Sequence, residues 1–136
     1  MNDVKRININ DVSTPALAYL GDCVIELLVR RHLVESGIGT SKNLNKMALD
    51  YVRAPVQAEA MKNIIPLLTE VEEGYFRRGR NIGHTNTPKG ATVAEYRAAT
   101  GMEALFGYLH LTEQNERALE LFRAAYMPRD IRPSDE

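Results

Sequence analysis

Apolar residues recur at helical spacing along most of this chain, most densely between Pro15 and Glu35. The polar residues just before Pro15 suit a helix start, and Ser36-Gly37 suits a helix end. This segment is therefore predicted to be one long helix. Its predicted core stripe consists of Leu17, Leu20, Val24, Leu27 and Leu28.

The rest of the chain continues as periodic stretches separated by proline, glycine and capping residues. The later helices are predicted to begin at Ser41, Pro55, Leu67, Thr92 and Thr112. The helix from Pro55 is predicted to end before Pro66, the helix from Leu67 at Arg80, and the helix from Thr92 at Leu111. The strongest start signal is Thr92 with Glu95 three residues later, which is a capping box. We find no strand pattern and no internal repeat, so the predicted fold class is all-α.

One internal segment, Asn81–Ala91, breaks all periodicity with two glycines and a proline. A loop of this length in a compact domain is often functional or mobile. The polar stretch 1–12 is predicted to be an N-terminal arm, 13–127 a single helical domain, and 128–136 a flexible C-terminal tail.

Composition narrows the class of protein without naming an activity. The 136 residues are 44% hydrophobic and 26% charged, with a net charge of −1, so a basic surface for nucleic acid must be local. Cys23 is the only cysteine, which excludes an internal disulfide and a cysteine zinc site; we expect it to be a small buried side chain. The sequence has no apolar run of membrane-spanning length and no signal peptide, so no membrane partner is expected and cytoplasmic localisation is the default expectation.

Acidic residues on two apolar helices are the candidate chemistry. Asp22 and Glu26 lie one turn apart on the face opposite the predicted stripe, together with Tyr19, Ile25 and Val29. Like charges so spaced repel, and a buried carboxylate needs a partner. Glu103 stands beside the stripe of the helix that begins at Thr92.

Two explanations of these acids remain open from spacing alone. A shared Mg²⁺ fits hard oxygen ligands from two helices, and Gly21 and Gly107 would let the ion approach closely. Pairing with Arg30, Arg53 or Arg97 is the commoner arrangement.

Two motifs add a resemblance to a known family. The run Tyr-Leu-Gly-Asp-Cys-Val-Ile-Glu-Leu (Tyr19–Leu27) resembles the signature of the ribonuclease III family, and Met-Glu-Ala-Leu-Phe-Gly-Tyr-Leu (Met102–Leu109) resembles its second acidic motif. The chain is short, and Arg-Arg-Gly-Arg-Asn is followed by Thr-Pro-Lys in the loop. These features resemble mini-ribonuclease III, the bacterial group that consists of the catalytic domain alone.

The resemblance implies roles for particular residues. Asp22 and Glu103 correspond to catalytic Mg²⁺ ligands, and Tyr19 to a dimer contact. Two further family acids are replaced by Ala18 and Thr100, which leaves the number of metal ions open. Glu26 is either a residue that orients a metal-bound water or an ordinary salt-bridge partner.

The implied reaction is Mg²⁺-dependent hydrolysis of double-stranded RNA by a homodimer, leaving 5′-phosphates, 3′-hydroxyls and two-nucleotide 3′ overhangs. The implied substrate is the 23S ribosomal RNA precursor, with a ribosomal protein as a possible further partner. Arg77, Arg78, Arg80 and Lys89 are the candidate RNA contacts, although cations near a helix end also occur without any ligand. The alternative is a non-catalytic RNA- or ribosome-binding module. A helical nucleotide pyrophosphohydrolase is a third class, but the chain lacks its glutamate-rich helix pair.

Overall fold

The longest element of the fold is a 22-residue helix, α1 (Thr14–Glu35). A computed structural model describes residues 7–82 and 89–127 of the chain. The Ser13 hydroxyl accepts a hydrogen bond from the backbone N–H of Ala16, and Gly37 takes a positive φ just beyond the helix end. The predicted start and end of this helix are therefore confirmed.

Five further α-helices follow: α2 (Ser41–Val52), α3 (Ala54–Ile64), α4 (Glu70–Arg80), α5 (Val93–Leu111) and α6 (Asn115–Tyr126). Short 3₁₀ turns at Ile9–Asp11 and Ile65–Leu67 complete the regular structure. Within the described residues there is no strand, which confirms the all-α prediction. None of these helices is long and apolar enough to cross a membrane, as far as the described part of the chain extends.

Two helix starts were predicted wrongly, each about three residues too early. Pro66 lies in the 3₁₀ turn, and α4 begins only after Thr69, whose side chain and that of Glu72 form a capping box that the sequence analysis overlooked. Thr112 does not start the last helix, because its hydroxyl donates to the Tyr108 carbonyl at 2.8 Å and so belongs to the end of α5.

The buried face of α1 differs from the predicted stripe. Ile25 and Val29, predicted to lie opposite the core, are fully buried, whereas Leu27 is 63% exposed. Because nearly every position of α1 is apolar, the sequence pattern alone does not define which face is covered. The neighbouring helices decide it.

Helix α5 forms the centre of the domain, and α1, α3, α4 and α6 pack around it. Five of its apolar side chains are completely buried: Met102, Ala104, Leu105, Phe106 and Leu109. The apolar residues Ile9 and Val12, within the predicted N-terminal arm, pack against the cluster around Leu17. Residues 1–6 and 128–136, the rest of the arm and the predicted tail, lie outside the described residues.

An ion pair with one buried partner ties α4 to α6. The Arg117 guanidinium donates to both carboxylate oxygens of Glu72, at 2.9 and 2.8 Å, and to the carbonyl of Leu67 at 2.9 Å. The Glu72 side chain is only 5% exposed. The hydrogen bonds from Arg117 hold the pKa of Glu72 below its ordinary value, although burial opposes that shift.

Candidate active site

Two glycines bring α1 and α5 unusually close together. A Cβ placed on Gly21 would lie 2.5 Å from the carbonyl carbon of Glu103 and closer still to its oxygen. A Cβ on Gly107 would lie 2.8 Å from the carbonyl carbon of Leu17. These glycines were predicted to let a metal ion approach closely. In the structure they instead allow the two helix backbones to touch.

This close crossing brings the two predicted acids together. Asp22 follows Gly21 directly, and Glu103 contributes the backbone carbonyl that Gly21 contacts. Glu103 is partly buried, whereas Asp22 is exposed. Burial, and then the charge and the hydrogen-bonding contact of Asp22, raise the pKa of Glu103 from 4.5 to about 8.

Beside Glu103 lies a cavity of ≈ 420 Å³ between the α2–α3 junction and the first half of α5. Its wall includes two cationic side chains, Arg53 and Lys89, and the polar side chains of Gln57 and Thr100. The cavity therefore places positive charge next to a partly buried carboxyl group. Such a site suits a phosphate that approaches a metal ion held by acids.

The predicted RNA contacts do not all lie at this cavity. Only Lys89 lines it, whereas the three arginines leave the last turn of α4 in different directions. Arg77 pairs with Glu73 at 3.3 Å. The guanidinium groups of Arg78 and Arg80 lie over aromatic rings of their own helix, at 4.5 and 5.5 Å from the ring centres.

The remaining predicted residues lie on α1. Glu26 accepts a hydrogen bond from Arg30 at 3.0 Å, the geometry of an ordinary i,i+4 salt bridge. Tyr19 is 86% exposed. Cys23 is also exposed, so the prediction that it is buried was wrong; it lies on the uncovered face of α1.

The fold and this pair of acids agree with the comparisons with known proteins. A family model described as "Ribonuclease III domain" matches residues 15–114. The chain belongs to the ribonuclease III family. Several relatives bear the name Mini-ribonuclease 3. The one from Symbiobacterium thermophilum is 48% identical over 109 residues, which cover 80% of this chain and 84% of the relative. The one from Enterococcus faecalis is 44% identical over 123 residues, which cover 89% of each chain.

A solved structure supports the same membership. A crystal structure of a protein from Fusobacterium nucleatum matches with a TM-score of 0.78 and 31% identity, covering 89% of this chain and 97% of that one. The resemblance to mini-ribonuclease III is therefore confirmed, and the chain is an endoribonuclease that acts on RNA.

Ribonuclease III enzymes generally use a divalent metal ion, and the donor set here fits one. Over residues 7–82 and 89–127, no group of three or more His, Cys, Asp or Glu side chains could enclose a metal. Asp22 and Glu103 thus offer two hard carboxylates, with the remaining positions open to water and phosphate, as Mg²⁺ commonly requires. The two positions at which family acids are replaced add no carboxylate: Ala18 has no ligand atom, and Thr100 has a hydroxyl that donates to the Tyr96 carbonyl at 3.1 Å.

Three residues near Glu103 were not predicted from the sequence as part of the site: Arg53, Gln57 and Tyr126. Arg53 was considered only as a partner for an acid, and Gln57 carried no pattern at all. Tyr126 reaches the site from α6: its hydroxyl donates to the Tyr51 carbonyl at 3.0 Å. Burial and then the negative charge of Glu103 raise the pKa of Tyr126. Motif spacing would have found none of them, because only tertiary packing brings α3 and α6 to Glu103.

Proposed function

We propose that this ribonuclease III domain cleaves double-stranded RNA in a Mg²⁺-dependent reaction, with Asp22 and Glu103 as the metal ligands. The observation that carries the proposal is the convergence of these two carboxyl groups at the glycine-mediated crossing of α1 and α5. Two carboxylates this close repel each other, and a divalent cation between them removes that cost.

The chain's own residues prepare this site for phosphate chemistry. Glu103 holds a proton at neutral pH without a cation and must release it to become a ligand. Arg53 and Lys89 line the adjoining cavity and bind phosphate oxygens. A bound divalent ion supplies activation of water and neutralisation of charge on the scissile phosphate. Arg77, Arg78 and Arg80 are proposed to contact the RNA backbone farther from the cut.

We propose that the active form is a homodimer formed through the uncovered face of α1. Three large apolar side chains are exposed there, Tyr19, Leu27 and Val34, each at least 61% accessible. Helical spacing places them, together with Cys23, on one face. A contiguous exposed apolar face on a monomer indicates a protein–protein contact.

The family relationship supports the finer proposals about biology. We propose that the substrate is the 23S ribosomal RNA precursor, that a ribosomal protein assists in presenting it, and that the reaction takes place in the cytoplasm.

A cleavage assay tests the proposal. A blunt RNA duplex with Mg²⁺ should be cut into fragments with 5′-phosphates, and EDTA should stop the reaction. Single-stranded RNA of the same sequence is the substrate control. Asp22→Asn and Glu103→Gln should each lower the rate by about 10²-fold or more. Binding of the duplex without cleavage by the parent protein would favour the non-catalytic module instead.

A further inference from the structure

One buried polar side chain of the domain has no explanation in its packing. Gln57 on α3 is 1% exposed and ranks among the largest fully buried side chains. Among the residues that the structure describes, no hydrogen-bond partner satisfies its side-chain amide. Buried amides nearly always have partners, and an exception indicates a water, an ion or a functional role at that point.

The position of Gln57 indicates which role. Its side chain lines the cavity that also contains Glu103, and α3 packs directly against α5. The Thr100 hydroxyl in the same wall cannot donate to Glu103, because it already donates its hydrogen to the backbone carbonyl of Tyr96. Gln57 therefore offers a buried, neutral hydrogen-bond donor in the wall that it shares with Glu103.

We propose that Gln57 is a positioning residue: its amide N–H donates to the Glu103 carboxylate, directly or through one cavity water, and fixes that carboxylate for the metal ion. The inference rests on the proposed function of Asp22 and Glu103 as metal ligands. A carboxylate ligand is normally oriented by a hydrogen bond from a neighbouring group. An amide supplies that bond without adding charge to a site that already contains two acids.

The first test uses the nearly isosteric Gln57→Met variant, which keeps the volume and removes the amide. Mg²⁺ affinity is measured by titration calorimetry without RNA. We expect the dissociation constant to rise roughly 10–100-fold, while the melting temperature of the metal-free protein stays equal or rises, because an unpaired amide has been removed. A rise of less than threefold would overturn the proposal.

A matched control is present in the same chain. Gln114 is the only other glutamine, and its amide donates to the Thr112 hydroxyl at 2.7 Å, at the end of α5. Gln114→Met should leave the Mg²⁺ dissociation constant unchanged within twofold. Equal weakening in both variants would also overturn the proposal, since it would reflect general loosening of the fold.

A second measurement needs no variant, and it decides the question if Gln57→Met does not fold. Labelling with ¹⁵N-glutamine gives only two side-chain amide signals. We expect the Gln57 signal to shift as Mg²⁺ saturates the site and the Gln114 signal to stay in place. A stationary Gln57 signal in a protein that binds Mg²⁺ and cleaves RNA would refute only this inference. Absence of Mg²⁺ binding in the parent protein would instead refute the proposed function.

Discussion

Replacing Gly21 by alanine tests the helix crossing on which the site depends. The added Cβ would lie 2.5 Å from the carbonyl carbon of Glu103 and 2.8 Å from the backbone nitrogen of Gly107. Both atoms are backbone, so no flexible side chain can yield. Raising the separation from the Glu103 carbonyl carbon to an ordinary 3.4 Å requires α1 and α5 to open by at least about 0.9 Å, and the Glu103 carbonyl oxygen, which lies closer still, requires more. A gap of that size forfeits a quarter to a half of the dispersion attraction along the contact.

We therefore expect Gly21→Ala to lower the free energy of unfolding by about 3 kcal/mol or more, the upper range for an overpacked core. Urea unfolding, followed by circular dichroism, measures the change. The control is Gly74→Ala in the middle of α4, where a Cβ meets nothing within 4 Å. There alanine should stabilise by about 0.5–1 kcal/mol through helix propensity. This account of the crossing would be refuted if Gly21→Ala lowered the free energy of unfolding by less than about 1 kcal/mol, or if the two substitutions changed it in the same direction.

Three further predictions concern charge and assembly. In EDTA, the raised pKa of Glu103 should make the parent protein lose stability between pH 4.5 and 8, because the folded state keeps a proton that the unfolded state releases. Glu103→Gln should abolish that loss in thermal melts, and an unchanged pH profile would contradict the assignment. Arg117→Met leaves the Glu72 carboxylate without its ion-pair partner and should lower the free energy of unfolding in urea by on the order of 3 kcal/mol. As the control, Lys62→Met removes an exposed ion pair and should lower it by less than about 0.5 kcal/mol. Tyr19→Asp should give monomers in analytical ultracentrifugation, and a persistent dimer would exclude the α1 face as the interface.

The pH prediction follows from the sign of the shift. An acid whose folded pKa exceeds its unfolded value contributes its full stability below pH 4.5 and loses it as the pH rises toward 8. Glu72 has the opposite shift, so its contribution is present at neutral pH and is lost on acidification.

Local signals in the sequence were sufficient for the existence of the helices and for several of their ends. The capping box at Thr92 and the proline near the start of α1 confine the backbone within a few residues, so they work without tertiary information. The predicted starts of α4 and α6 were wrong. At α4 the proline lies in a 3₁₀ turn before the helix, and at α6 the Thr112 hydroxyl bonds to the preceding helix and does not cap the next one.

Tertiary packing determined the features that sequence patterns missed. The exposure of Leu27 and burial of Ile25 depend on which helices cover α1, and an almost wholly apolar helix gives no such direction. Asp22 and Glu103 were found because acids on apolar helices stand out in the sequence and because family motifs mark both positions. Nothing local marks Gln57, since a buried amide becomes notable only when its surroundings are known.

The central claim, that Asp22 and Glu103 share a metal ion, is tested most directly by the protons released on Mg²⁺ binding. Titration calorimetry at pH 7 in buffers of different ionisation enthalpy measures that number. Because Glu103 has a pKa of about 8, close to one proton should be released per ion bound. Glu103→Gln should release none and bind Mg²⁺ at least tenfold more weakly, and Asp22→Asn should also bind more weakly. Undiminished binding in both variants, or binding by the parent without proton release, would contradict the account.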